Sequence, residues 1–225
     1  RQECNINFEA IINRKIILKI MLDENKFSGI VLARARTGES SIKLTLFLKE
    51  RGIIYAIAPR AEGGRTKFGG GTEPFIWGVF TLKPGKSGGN YLSEIEIKDD
   101  MIGLRRRSEA MFSAVKWSRL LIQTLIPENP DNELLANLYW NMKLLCNNKI
   151  PAEVSDWRFI WRWLRLWGIA PEDNYNFNKA LLLKVANADI DFIINNFDFT
   201  NFSKANQKLF AHAAMQAEKF LRLNN

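Results

Sequence analysis

The apolar pattern of this chain changes period once, at Asp99-Asp100, and that change constrains the fold more than any motif. Upstream of it, residues 29–36, 42–48, 53–58, 75–82 and 91–97 are short runs rich in β-branched and aromatic residues. Turn formers separate them: Thr37-Gly38-Glu39-Ser40, Gly52 and Lys83-Pro84-Gly85. Five short strands joined by such turns match the size of a five-stranded OB-type barrel, which closes without a cofactor.

Downstream, Ala110, Met111, Ala114, Val115, Trp117, Leu120, Leu121 and Leu125 recur at close to 3.6 residues, and Pro127 and Pro130 stop the run. Asp131 or Asn132 can cap a second helix reaching Cys146. Ser155-Asp156 lead into a third at residues 157–167, ended by Gly168 and Pro171, and residues 178–197 and 203–223 read as two more. The expected fold is therefore α+β, an N-terminal five-stranded OB-fold barrel followed by an all-α helical domain. The expected division is an extra or poorly ordered segment at 1–20, the barrel as a nucleic-acid-binding domain at 21–101, and helices at 102–225. Ile11, Ile12, Ile16, Ile17 and Ile20 suit a helix or an added strand, while Met21 offers an alternative start.

Charge is distributed unevenly. The chain carries +8 overall, but residues 26–90 hold 11 Lys or Arg against 4 Asp or Glu, and residues 91–225 hold 17 against 16. Nearly all the excess thus lies on the barrel half, which points to an acidic partner. The two cysteines, Cys4 and Cys146, are far apart and do not form a metal or disulfide framework, so a reducing cytoplasm suits them best. No apolar run approaches the roughly 20 residues of a membrane span, and residues 1–20 lack signal-peptide order.

Residues 60–75 read RAEGGRTKFGGGTEPF, with five glycines at 63–71. A phosphate loop needs GxxxxGK[ST] between a strand and a helix, so that helix-start amides converge on phosphate. Here Lys67 is followed by Phe68, and the next clear element is a strand. The stretch makes better sense as a basic connection on a barrel that binds nucleic acid, with cations along phosphates and rings against bases. Candidate DNA contacts are Arg34, Arg36, Lys43, Arg60, Arg65, Lys67, Phe68 and Lys86, with Tyr55 and Tyr91 as further rings. The turn at residues 83–89 sits where the loop between strands four and five flanks a ligand. Arg105 and Arg106, in the Arg105-Arg106-Arg107 run, read either as phosphate contacts or as the solvated start of a helix.

Catalytic chemistry finds little material. His212 is the sole histidine and lies in a helical context, so zinc lacks ligands. Asp99-Asp100 sits at the period change, where turn or cap duty is commoner than Mg²⁺ binding. No catalytic residue, metal or cofactor is expected. The tryptophan helix (Trp157, Trp161, Trp163, Trp167) is apolar on nearly every face. It reads either as a buried central helix or as a groove in which Arg158, Arg162 or Arg165 holds an acidic peptide.

Taken in order, several segments between residues 27 and 171 resemble the bacterial DNA repair protein RecO family. They are Gly29-Ile30-Val31-Leu32, Gly38-Glu39-Ser40-Ser41, Phe68-Gly69-Gly70, Glu73-Pro74-Phe75, Leu120-Leu121, Leu125-Ile126-Pro127 and Leu164-Arg165-Leu166-Trp167-Gly168-Ile169-Ala170-Pro171. The resemblance implies an OB domain plus a helical domain. It also implies binding of single- and double-stranded DNA, annealing without nucleotide, and contacts with RecR and the acidic tail of single-stranded DNA-binding protein. Assistance to RecA loading and a cytoplasmic, nucleoid-associated location follow from it too. Two departures stand out. Residues 172–177 lack the four-cysteine zinc motif of many members, and Glu62 and Gly63 replace family positions that are usually basic. The reading is a non-enzymatic recombination mediator. The alternative is a protein-interaction scaffold whose barrel has lost most nucleic-acid binding.

Overall fold

Five strands close into a barrel in the computed structural model, which describes residues 25–62, 67–85, 88–169, 179–197, 199 and 202–223. They are β1 (Lys26–Thr37), β2 (Ser41–Leu48), β3 (Gly52–Ala58), β4 (Trp77–Pro84) and β5 (Asn90–Asp99). Their order around the barrel is β1-β2-β3-β5-β4. The long β1 pairs with β2 through Gly29–Thr37 and with β4 through Lys26–Ile30, so one bent strand serves both sides. A register shift between Val31 and Ala33 marks the bend. Closure comes from a short parallel contact, Ala56 with Asn90 and Ile57 with Tyr91. One bent strand shared by both sides and a parallel β3–β5 seam define the OB topology.

The helical part contains, among the described residues, α1 (Ser108–Thr124), α2 (Asn132–Cys146), α3 (Ala152–Leu166), α4 (Lys179–Asn187), α5 (Ile190–Asn196) and α6 (Lys204–Leu223). Asp131 caps α2 as expected, its carboxylate accepting from the Leu134 amide at 2.9 Å. Asp99 and Asp100 take turn duty, accepting from the Met101 and Ile102 amides. Asp99 also pairs with Lys143 of α2 at 2.7 Å, a contact that holds the Lys143 ammonium above its ordinary pKa.

Three elements differ from the sequence reading. The α3 helix begins at Ala152 behind Pro151, so Ser155 and Asp156 lie inside it rather than at its cap. Asp156 instead receives the Trp117 indole N–H at 2.7 Å and the Lys116 ammonium at 2.7 Å, both from α1. Where one helix is expected at 178–197, the described residues 179–197 hold two, α4 and α5. The Ala186 carbonyl accepts from Arg162 at 2.9 Å and the Ala188 carbonyl from Arg158 at 2.9 Å, so arginines of α3 satisfy the end of α4 and terminate it. Within the glycine cluster, Gly69–Thr72 forms one 3-10 turn.

Two apolar clusters follow from strand alternation. Val31, Ile42, Leu44, Leu46, Leu48, Ile54, Phe80 and Leu92 fill the barrel. Their strand neighbours Ile30, Leu32, Phe47 and Ile53 point the other way and join the helical core with Phe75, Trp117, Leu138 and Phe159. The barrel wall on that side is buried on both faces. Trp157, Trp161 and Trp163 are also buried, which makes α3 the central helix. Trp117 is fully buried and stacked on Phe159 at 4.5 Å. Trp117→Phe is expected to lose about 2–3 kcal/mol of stability in urea titration, from a lost charge-assisted hydrogen bond and a small cavity.

Candidate nucleic-acid interface

The open part of the barrel wall is where β2 alternates strictly. Ile42 and Leu44 point inward, and Lys43 and Thr45 point out. Registers carry that outward face across the sheet. Ala35 pairs with Lys43, Lys43 with Ile57, Ile57 with Tyr91, and Tyr91 with Lys83. Paired residues share a face, so one row crosses five strands with a lysine on β2, a tyrosine on β5 and a lysine on β4. At the usual strand spacing Lys43 and Lys83 stand about 14 Å apart along the curved surface. Tyr55, opposite Thr45, lies beside the row, with the Lys43 ammonium 4.7 Å from its ring centre. Lys43, Tyr55, Lys83 and Tyr91 are all exposed. Lys83, which the sequence places in the ligand-flanking turn at residues 83–89, lies on β4 itself and joins the row through its pairing with Tyr91.

Lys67 and Lys83 flank a cleft of ≈ 490 Å³ that Phe68, Ser93, Glu94 and Ile95 complete. Lys67 lies 5.0 Å from the centre of the Phe68 ring. Phe68 itself is only 8% exposed and belongs to the barrel core, which corrects its expected place as a stacking ring. The connection needs an anchor beneath its glycines, and Phe68 supplies it.

Arg34 and Arg36 fall outside the row. They pair with Leu44 and Ile42, the inward residues of β2, and emerge at the end of the barrel. Carboxylates from the β3–β4 connection meet them there. Glu62 pairs with Arg34 at 3.0 Å and with Arg36 at 2.5 Å, and Arg34 also pairs with Glu73. Arg60 is exposed at the start of that connection, in a left-handed conformation (φ 54°). Arg65 and Lys86 lie outside the described residues.

The triple-arginine run divides by role. Arg107 donates to the Asn147 and Ile150 carbonyls, both at 3.0 Å, and so ties the start of α1 to the end of α2. Arg105 donates to the Asp100 carbonyl at 3.1 Å and stays exposed, as does Arg106.

Of the three arginines expected to meet a partner, Arg158 is corrected most sharply. It is 0% exposed, donating to Asn141 Oδ1 at 3.0 Å and to the Ala188 carbonyl. It is therefore a core residue that cannot reach a partner, and that burial, with the Arg162 charge second, pushes its pKa down. Arg162 is half-buried and Arg165 exposed. Both line a cleft of ≈ 510 Å³ with Trp140, Leu166, Glu133, Ala136, Asn137 and Asn187. Trp140 is 50% exposed and Leu166 40%. Among the described residues, no helix is long and apolar enough to cross a membrane.

Residues 21–101 match the family described as recombination protein O, N-terminal. The chain is 26% identical over 165 residues to the DNA repair protein RecO of Thermosynechococcus vestitus, which covers 73% of this chain and 59% of that protein. It is 27% identical over 146 residues to the RecO of an Exiguobacterium species, covering 65% of this chain and 58% of that protein. A shorter segment of 54 residues is 43% identical to the RecO of Anaeromyxobacter dehalogenans, covering 24% of this chain and 21% of that protein. The chain thus spans about three-fifths of the length of the first two relatives.

Proposed function

We propose, from the match of residues 21–101 to the RecO N-terminal family and the similarity to RecO proteins, that the chain is a DNA-binding protein of recombinational repair that acts without catalysis. In this reading residues 21–101 are the DNA-binding domain and residues 102–225 the partner platform. The single observation that carries it is the outward row Lys43–Ile57–Tyr91–Lys83, a ring between two cations on the open wall of an OB barrel. Lys67 adds charge across the cleft from Lys83, and Arg60, Arg65, Lys86, Arg105 and Arg106 are proposed as further phosphate contacts. Single and double strands are both held by their phosphates, and neutralising two strands lowers their repulsion while bases pair. The cleft of Trp140, Leu166, Arg162 and Arg165 suits an acidic peptide with an apolar end, such as the tail of single-stranded DNA-binding protein. RecR and RecA are the further partners proposed, in the cytoplasm.

A second reading, an interaction scaffold with a weakened barrel, draws support from Glu62 and Glu73, which neutralise Arg34 and Arg36. Salt titration separates the two. Log affinity for a single-stranded oligonucleotide should fall linearly with log salt, and Lys43→Ala with Lys83→Ala should reduce the slope by about 1.4. Binding that ignores salt and both substitutions rejects the DNA reading and leaves the scaffold. Annealing of complementary oligonucleotides without nucleotide or metal provides the functional check.

A further inference from the structure

We infer that Tyr91, seated on Gly85, is a stacking platform that makes the barrel wall read unpaired bases as well as phosphates. The inference rests on the DNA-binding reading above and adds to it the groups that contact the bases. Tyr91 is 39% exposed, although near the start of β5 it is paired on both sides of the sheet, with Ile57 and with Lys83. An exposed ring in that position is held by what lies beneath it. A Cβ on Gly85 would fall 2.4 Å from Tyr91 Cε2 and 2.9 Å from Cδ2. The ring therefore occupies the space that any side chain at position 85 would need. Gly85 is itself fixed, its amide donating to the Gly89 carbonyl at 2.9 Å and its carbonyl accepting from the Gly88 amide at 3.2 Å. The Cδ2–Cε2 edge of the ring rests against Gly85 while Tyr91 stays 39% exposed, an arrangement that costs little entropy when a base lands on it.

The surroundings fit the same ligand. Lys83 is paired with Tyr91 on β4, and Lys43 lies one strand beyond Ile57 on the other side. A base on Tyr91 thus has a cation on each side for the flanking phosphates. Tyr55 differs, because Lys43 already lies over its ring, so it presents cation and ring together. A base paired in a duplex has both faces occupied by its stacked neighbours, so only an unpaired base reaches Tyr91.

The test compares two oligomers of equal length and equal phosphate count, oligothymidylate and an abasic oligomer, by fluorescence anisotropy on the full chain. The wild type should bind oligothymidylate more tightly. Tyr91→Ala should weaken that binding about tenfold and change abasic binding by less than about twofold, while Tyr91→Phe keeps both. Gly85→Ala removes no aromatic group yet should reproduce Tyr91→Ala, because its methyl displaces the ring. Wild-type affinity equal for both oligomers, or equal losses on both in Tyr91→Ala, overturns the platform and leaves phosphate binding intact. Wild-type failure to bind either oligomer overturns the platform and the DNA-binding reading together.

Discussion

Gly52→Ala is expected to lower the unfolding free energy by about 3 kcal/mol or more, as much as the loss of a large core side chain. Gly52 opens β3 with φ at +69°, in the left-handed region, and alanine there costs on the order of 1 kcal/mol by itself. The larger part is steric. A Cβ at this position would lie 2.3 Å from the Asn129 carbonyl oxygen and 2.6 Å from its carbon, and both are backbone atoms that no rotamer change can move. Asn129 belongs to the link between α1 and α2, which is pinned to the same turn twice more. Glu128 donates its amide to the Ile53 carbonyl at 2.9 Å, and Asn132 Oδ1 accepts from the Glu50 amide at 2.8 Å. Relieving the clash means lifting the link off the barrel and opening the shared core at Ile53 and Phe47. Gly38→Ala is the matched control, since Gly38 also has a positive φ (+70°) but a Cβ there meets nothing within 4 Å. The difference between the two variants in urea denaturation reports the joint alone. Equal losses would mean that the turn does not hold the barrel to the helices.

That joint explains how the sequence pattern reads. In β2 the order Ile42-Lys43-Leu44-Thr45 alternates, whereas Leu46-Phe47-Leu48 is apolar throughout. The first half has one wet face, and the second is covered by helices on its outer side. The same contrast separates Ile53-Ile54 from Tyr55-Ala56 in β3. A single strand thus marks, within eight residues, both the interface with the helical part and the open wall where the lysine and tyrosine row lies.

The barrel and most helices were legible because their signals are local. Turn residues delimit each strand, and Asp131 caps α2 within its own turn. What was not legible is long-range. Nothing in residues 178–197 announces that α3 arginines will take the Ala186 and Ala188 carbonyls and end α4. Arg158 looks like a surface cation by type. Only the packing of its helix against the neighbouring helices buries it, with Asn141 Oδ1 accepting from it at 3.0 Å. Arg34 and Arg36 stand two apart on a strand with Lys43 opposite Ala35, so their phase could already be counted. The acidic partners could not, because Glu62 and Glu73 reach them across 28 and 39 residues of chain.

Those carboxylates set the last expected result. Glu62→Gln with Glu73→Gln should tighten binding to single-stranded oligonucleotides and steepen the salt dependence by about 1.4 in slope, up to roughly 25-fold in affinity at 0.1 M salt. Glutamine preserves shape and still accepts from the arginines, so the end of the barrel keeps its geometry while two formal charges are released. Arg34 is three-quarters enclosed and held by both acids, while Arg36 is largely exposed and held by Glu62 alone. Glu62→Gln should therefore act mainly through Arg36 and give close to half of the double effect, and Glu73→Gln should give less until Glu62 is also changed. The two sites share Arg34, so their effects should not add. A general change in net charge is controlled by Glu109→Gln with Glu153→Gln, which alters the chain by the same two units on the helical part. If that pair tightens binding equally, the ion pairs at the barrel end are bystanders. If only Glu62 and Glu73 do so, the arginines were latent DNA contacts held in check from within the fold.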